Sequence, residues 1–164
     1  MRLLTKTLSL LVMASLALFS AGCGDDGKEK KPEQVELEKL SKTWSIVSAE
    51  LQGNNRTSDF PNFKLTMSGT FNASTPEGPY DYSVSGGQPP LSPWPQAPDG
   101  SGGTWTFEGT PSNNSGLIER NDAVGMTYTI DSSGQLVLEF DIDPTAGYPA
   151  RVAQVGGHWK FVFN

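Results

Sequence analysis

Few side chains in this 164-residue chain have the chemistry to do a reaction, and their spacing limits what that reaction would be. There is one histidine, His158, beside a pair of hairpin-type glycines. The one cysteine, Cys23, falls outside any core pattern, so the region after it has no thiol nucleophile. No Gly-x-Ser-x-Gly elbow occurs, and one histidine without a domain cysteine excludes the common zinc sets. Carboxylates remain. "DIDP" puts Asp141 and Asp143 on one face of a strand end, where paired acids serve glycoside hydrolysis or hold calcium. The same pattern before a proline is a common turn signature, and that reading is preferred. "IERND" groups Glu119, Arg120 and Asp122. Arg120 has the fork to orient an anionic ligand, although a solvated ion pair is the default for such a cluster. Trp94 stands between Pro93 and Pro95 on a loop. There it could stack on a sugar, lie over a cavity mouth, or fold back and plug the core edge. The last is preferred, because buried aromatic area dominates local stability. The expectation is therefore no catalytic residue, no metal and no cofactor, with Trp94 and Arg120 as the candidate ligand contacts.

The elements that must position these residues read as strands. Apolar residues recur at every second position: Phe63, Leu65 and Met67; Tyr80, Tyr82 and Val84; Trp105 and Phe107; Met126, Tyr128 and Ile130; Leu136, Leu138 and Phe140; Trp159, Phe161 and Phe163. Successive strand side chains face opposite ways, so each set addresses one core. Turn signals punctuate the runs, "DSSG" after Ile130 and "VGG" before His158, both read as hairpin connections. Eight or nine strands at this spacing predict an all-β antiparallel sandwich or barrel. In a closed barrel the first and last strands pair, which predicts that Trp44 and Trp159 meet in the core. "SGGQPPLSPWPQAPDGSGG" interrupts the pattern and is a long loop, too rich in proline for a central strand. The Asn-x-Ser/Thr triplets at Asn55, Asn72 and Asn113 read as polar loops.

The N-terminus has another purpose. A basic start (Arg2, Lys6), an apolar run from Leu8 to Phe19 and the small residues Ser20, Ala21 and Gly22 form a secretory signal. The run is too short to span a bilayer, which takes about 20 apolar residues. "SAGC" then resembles the lipobox of bacterial lipoproteins. That resemblance implies lipidation of Cys23 and cleavage before it; the alternatives for a lone cysteine are a reactive thiol or a disulfide-linked dimer. Gly24 follows, then Asp25 and Asp26, a short acidic cluster that resembles the surface-export signal of Bacteroidetes lipoproteins. The implied location is the outer membrane of a bacterial cell envelope, with periplasmic and surface faces both open. The charge run "GDDGKEKK" reads as a solvated tether, and "PEQVELEKLSK" as a short helix with Pro32 in its first turn. The organisation is thus a signal peptide over 1–22, lipidated cysteine, tether and helix over 23–42, and one β-domain over 43–164.

"LSKTWSIVSAELQG", "DFPNFKLTMSGT", "PWP", "GTWTFEG", "IERND", "MTYTI", "LVLEFDI" and "GHWKFVF" come in an order that resembles the lipocalin-like domains of Bacteroidetes lipoproteins. The resemblance covers most of the domain. It implies a lipocalin-like, calycin-like antiparallel barrel of about eight strands with a short N-terminal helix. Lipocalins carry Gly-x-Trp on the first strand; here Trp44 is in place and Lys42 holds the glycine position. The "PWP" recurs in that family, which favours a structural role for Trp94.

Net charge is −6 at pH 7, which argues against nucleic acid and against electrostatic binding to anionic lipid. The expected partner is the membrane, through the lipid anchor. Beyond that, the expected work is non-catalytic binding of a small apolar ligand inside the barrel. The alternative is a structural or accessory envelope module that contacts glycan or protein through its loops, with a filled barrel. Small eight-stranded barrels take either form, and the aromatic inward faces lean toward a filled one.

Overall fold

The computed structural model describes residues 29–95, 102–143 and 155–164. Cys23 and the signal lie outside the described residues. The chain enters through helix α1 (Pro32–Leu40), then β1 (Thr43–Leu51), a two-residue β2 (Asn54–Asn55) and a 3-10 turn (Thr57–Asp59). Seven strands follow: β3 (Lys64–Ser68), β4 (Tyr80–Ser85), β5 (Gly102–Phe107), β6 (Ser115–Arg120), β7 (Gly125–Ile130), β8 (Leu136–Ile142) and β9 (Gly157–Phe163). β1 pairs antiparallel with both β2 and β3, each later strand pairs antiparallel with the next, and β1 also pairs with β9, which closes eight strands into a barrel. β2 is a flap on β1, made by a tight hairpin with Gln52 and Gly53 both at positive φ, the two-residue turn whose twist suits paired strands. The all-β antiparallel barrel preceded by a short helix, expected from the alternation and the resemblance, is the architecture found among the described residues.

The alternation does what it predicts. In β4, Tyr80, Tyr82 and Val84 are buried while Asp81, Ser83 and Ser85 are exposed. The outward positions of the other strands carry Thr104, Thr106, Thr127, Thr129, Glu139 and Lys160. This outer face is mostly polar among the described residues, although Val47 and Leu117 are exposed on it. Among the described residues no helix is long and apolar enough to cross a membrane.

Strand directions sort the connections into two ends. The helix end carries α1 and the β3–β4, β5–β6 and β7–β8 connections. The loop end carries the β1–β3, β4–β5, β6–β7 and β8–β9 connections. α1 begins at Pro32 as expected, and Leu37 and Leu40 on one of its faces are buried in the barrel core. The helix thus packs against the barrel it leads into. The "VGG" expectation needs correcting: Gly157 is already in β9, paired with Ile142, so β8 and β9 are joined by the long stretch 143–156, of which 144–154 lies outside the described residues. The register also separates Trp44 from Trp159. Strands β1 and β9 do pair, but with Leu51 opposite Trp159 and Ile46 opposite Phe163. Trp44 sits at the helix end, where its Nε1 donates to the Leu40 carbonyl at 3.0 Å. Trp159 sits at the loop end and donates to the Val155 carbonyl at 2.7 Å. Lys42, in the glycine position, lays its Nζ 3.7 Å from the centre of the Trp44 ring, so its apolar stem and charge cover the indole.

Candidate functional site

The interior is lined by rings. Phe161 stacks on Phe140 at 5.9 Å between centroids, and meets Trp159 at 5.5 Å and Phe163 at 6.0 Å along its own strand. Phe60 and Phe63, from the connection before β3, drop into the loop end and meet each other edge-on at 5.5 Å. The barrel of eight strands is thus filled by more than its strands. Among the described residues, the cavity bordered by Leu65, Trp94, Trp105 and Leu138 leaves about 10 Å³ for the centre of a water molecule, about one water's worth.

Trp94 is part of that filling. It is 2% exposed, with its ring 5.5 Å from Phe161, 5.7 Å from Phe140 and 5.8 Å from Phe63. No strand carries it there. The stretch from Gly86 enters the mouth as irregular chain, held by side-chain bonds: Ser92 Oγ donates to Gln88 Oε1 at 2.7 Å and accepts from Trp94 N at 3.1 Å. Gly86 makes the entry possible. Its φ is +90°, and a Cβ there would collide with the backbone of Asn62 and Phe63.

Arg120 meets Trp94. The two candidate contacts, 26 residues apart in sequence, form one cluster: the Arg120 guanidinium carbon is 5.2 Å from the Trp94 ring centre and 5.9 Å from that of Phe140. Arg120 Nη1 donates to the Pro93 carbonyl at 3.0 Å, and Nε to Asp122 Oδ1 at 2.9 Å, while Nη2 bonds Asp122 Oδ2. The expectation of a solvated ion pair is corrected: Arg120 is 3% exposed. Alternation explains this. Ile118 faces inward, so Arg120, two residues on in β6, faces inward too. Its charge is tolerated because the carboxylate grips it bidentately and a carbonyl takes a third bond.

A second buried charge lies at the helix end. Glu36 is 1% exposed. Its Oε1 accepts from Lys39 Nζ at 2.6 Å and from Asn114 N at 3.0 Å, and its Oε2 accepts from Tyr128 OH at 3.1 Å. Burial, the Glu36 charge and that hydrogen bond, in this order, push the Tyr128 phenol far above its usual range. Sequence reading did not find Glu36, yet a signal existed: it lies one turn before Leu40 on the buried face of α1. Beside α1 and the β3–β4 connection there is also a solvent-open groove of about 540 Å³, lined by Leu37, Ser41 and Phe71 among others.

The remaining candidates stay apart. His158 is half exposed, its Nδ1 3.3 Å from Asp141 Oδ1 on the outer face, an arrangement the β8–β9 register dictates. Asp141 and Asp143 lie at the loop end of β8, and no cluster of three or more metal-ligating side chains forms among the described residues. Asn55 and Asn72 make turns, each accepting a backbone N–H two residues on at 2.9 Å. Asn113 accepts from Lys39 Nζ at 2.7 Å.

No family model, no curated protein and no solved structure matches this chain.

Proposed function

We propose that this chain is an envelope lipoprotein, anchored by lipid on Cys23, whose barrel is a filled, non-catalytic module that works through its loops on an envelope glycan or protein. The observation that carries the reading is the interior. A carrier of a small apolar molecule needs a pocket of about 300–1,000 Å³, and among the described residues the interior cavity beside Trp94 and Arg120 holds about 10 Å³. The polar outer wall supports a domain in water, held to a membrane by something other than its strands. The signal core ending in "SAGC" supplies that something. In this reading the tether leaves from the helix end, where α1 is bonded into the barrel, and the loop end faces away from the membrane.

Two measurements test the two halves of the reading. Wild-type chain expressed in a bacterial host should incorporate radiolabelled palmitate, and Cys23→Ala should not; equal labelling of both removes the anchor. The intact chain should bind no long-chain fatty acid saturably. One-site binding of a fatty acid would restore the carrier reading.

A further inference from the structure

We propose that the groove beside α1 is a binding site for a neutral oligosaccharide, with Phe71 under one face of a sugar ring and Gln34, Glu38 and Thr70 bonding the hydroxyls around it. The inference rests on the reading of a non-catalytic module that works through its loops, and it names glycan as what the β3–β4 connection meets.

Both walls of the groove are fixed in place. One wall is α1, where Gln34, Glu38 and Ser41 follow at intervals of four and three and so share a face. The other is the start of the β3–β4 connection, Gly69 to Phe71. Gly69 lets that connection lie close against the barrel, since a Cβ there would stand 2.6 Å from Tyr80 Cδ1. After Phe71 the chain turns on Asn72, whose carbonyl accepts from Thr75 N at 3.1 Å and whose Oδ1 accepts from Ser74 N at 2.9 Å. Lys31 Nζ donates to the Ala73 carbonyl at 2.9 Å, which ties this wall to the start of the helix. The space between the walls, about 540 Å³, lies in the range of small-ligand sites, about 300–1,000 Å³. A groove already shaped spends little ordering cost when it is filled.

The lining selects the occupant. Leu37 is buried at the bottom, and Phe71 packs against the core while staying only partly buried, so part of it borders the groove. A pyranose ring has a face of C–H groups that packs on an aromatic side chain, and an equator of hydroxyls that each donate and accept. The rim supplies partners for both roles: the Gln34 carboxamide, the Thr70 hydroxyl and the Glu38 carboxylate. Glu38 is the one charged side chain of the lining among the described residues, and Lys30 Nζ bonds both of its oxygens, at 2.9 and 2.8 Å. Those bonds hold the Glu38 carboxyl below the usual carboxylate range, and a carboxylate has acceptor sites to spare beyond them. The groove thus carries no uncompensated charge, so an anionic headgroup or a basic peptide finds no counter-ion there. An acyl chain would leave the polar rim unpaired.

The test is an NMR titration of the isotope-labelled full chain, with chitotriose and maltotriose as the probes and sodium laurate as the apolar control. The expected result is saturable one-site binding of at least one sugar, with shifts at the Leu37 and Thr70 methyl groups and the Gln34 side-chain amide. Leu138 and Met126, which border the interior cavity, should not move. Thr70→Val keeps the shape of an exposed side chain and loses its hydroxyl, so it should weaken binding by about 2–10-fold, the net worth of one hydrogen bond. Phe71→Ala should abolish measurable binding; if it does not fold, Thr70→Val and Gln34→Ala decide. No shift with either sugar, shifts that leave out these three residues, or unchanged affinity in both Thr70→Val and Gln34→Ala overturns the site. Laurate shifting the groove residues where neither sugar does gives the groove to an acyl chain and overturns it equally. The filled-barrel reading survives each of these outcomes, whereas laurate that moves Leu138 and Met126 sinks that reading and leaves the sugar site standing.

Discussion

Alkali should expose the buried phenol of Tyr128, and the size of the effect can be worked out in advance. Tyr128 is fully buried, and its hydroxyl donates to Glu36 at 3.1 Å. In the folded protein its pKa lies far above the ordinary value, chiefly through burial and next through the Glu36 charge. In the unfolded chain the phenol ionises near pH 10. Above that pH the unfolded chain gives up a proton that the folded chain keeps. The stability present below about pH 10 is therefore lost as pH rises, by about 1.4 kcal/mol per pH unit for one such group. Tyr128→Phe removes this slope. It also removes a hydrogen bond to a charged acceptor, at a cost of about 1.5–3 kcal/mol. The two stability curves should therefore stand about 2 kcal/mol apart at neutral pH, converge above pH 10 and cross near pH 11.5. Tyr80, also raised by burial and by the Glu33 and Glu77 charges, is present in both proteins and cancels in the difference. Urea midpoints of the pair at matched pH values give the curves. A separation that stays constant from neutral pH to pH 11.5 would show that Tyr128 titrates as an exposed phenol and that α1 does not seal the helix end.

Two further outcomes test the barrel itself. Trp44→Ala and Trp159→Ala should each lower stability by about 3–5 kcal/mol, and the double variant should show the sum to within about 0.5 kcal/mol, because the two indoles sit at opposite ends; strong coupling in urea melts would put them back in contact. Gly86→Ala should cost more than about 1 kcal/mol, since it forces a side chain into positive φ against the Asn62 backbone. A change in the urea midpoint equal to that of Gly53→Ala, where φ is positive but the space is open, would mean that conformation alone matters and the close approach does not.

The wall of this barrel was legible because a strand's period is short and local. Of the inward residues named from the alternation, Phe63 through Phe163, all are buried but Ile130, which is partly buried at the end of β7. What the period cannot carry is register. Pairing β1 with β9 was foreseeable from closure, but whether Trp159 meets Trp44 or Leu51 depends on the stagger of closure and on the irregularity between Ile46 and Ser48. The sequence holds no local mark of either. The β8–β9 connection is hidden for a related reason: "VGG" has hairpin composition, yet the pairing of Ile142 with Gly157 makes that glycine part of the strand.

The buried charges show where composition misleads and geometry does not. Arg120 reads as surface because it stands among Glu119, Asn121 and Asp122, and such runs are usually wet. Its parity with Ile118 outweighs its neighbours: an inward position cannot be left by a residue in mid-ladder, so the fold must bring partners to it. Asp122 comes from the turn two residues on, and Pro93 from the plug. Glu36 follows the same logic on a helix, one turn before Leu40, and draws Tyr128 from the wall and the Asn114 N–H from the β5–β6 connection. Each end of the barrel is thus closed by a non-strand segment fastened through one buried ion. At the helix end the acceptor is on the plug and its donors are on the wall as well as on α1. At the loop end the donor is on the wall and the plug offers only a carbonyl. Losing a plug from the helix end would strip Tyr128 and Asn114 of a carboxylate, whereas losing Trp94 leaves Arg120 still held by Asp122. The two closures are therefore unequal in kind: a buried carboxylate on α1 fastens one, and a buried guanidinium on the wall fastens the other.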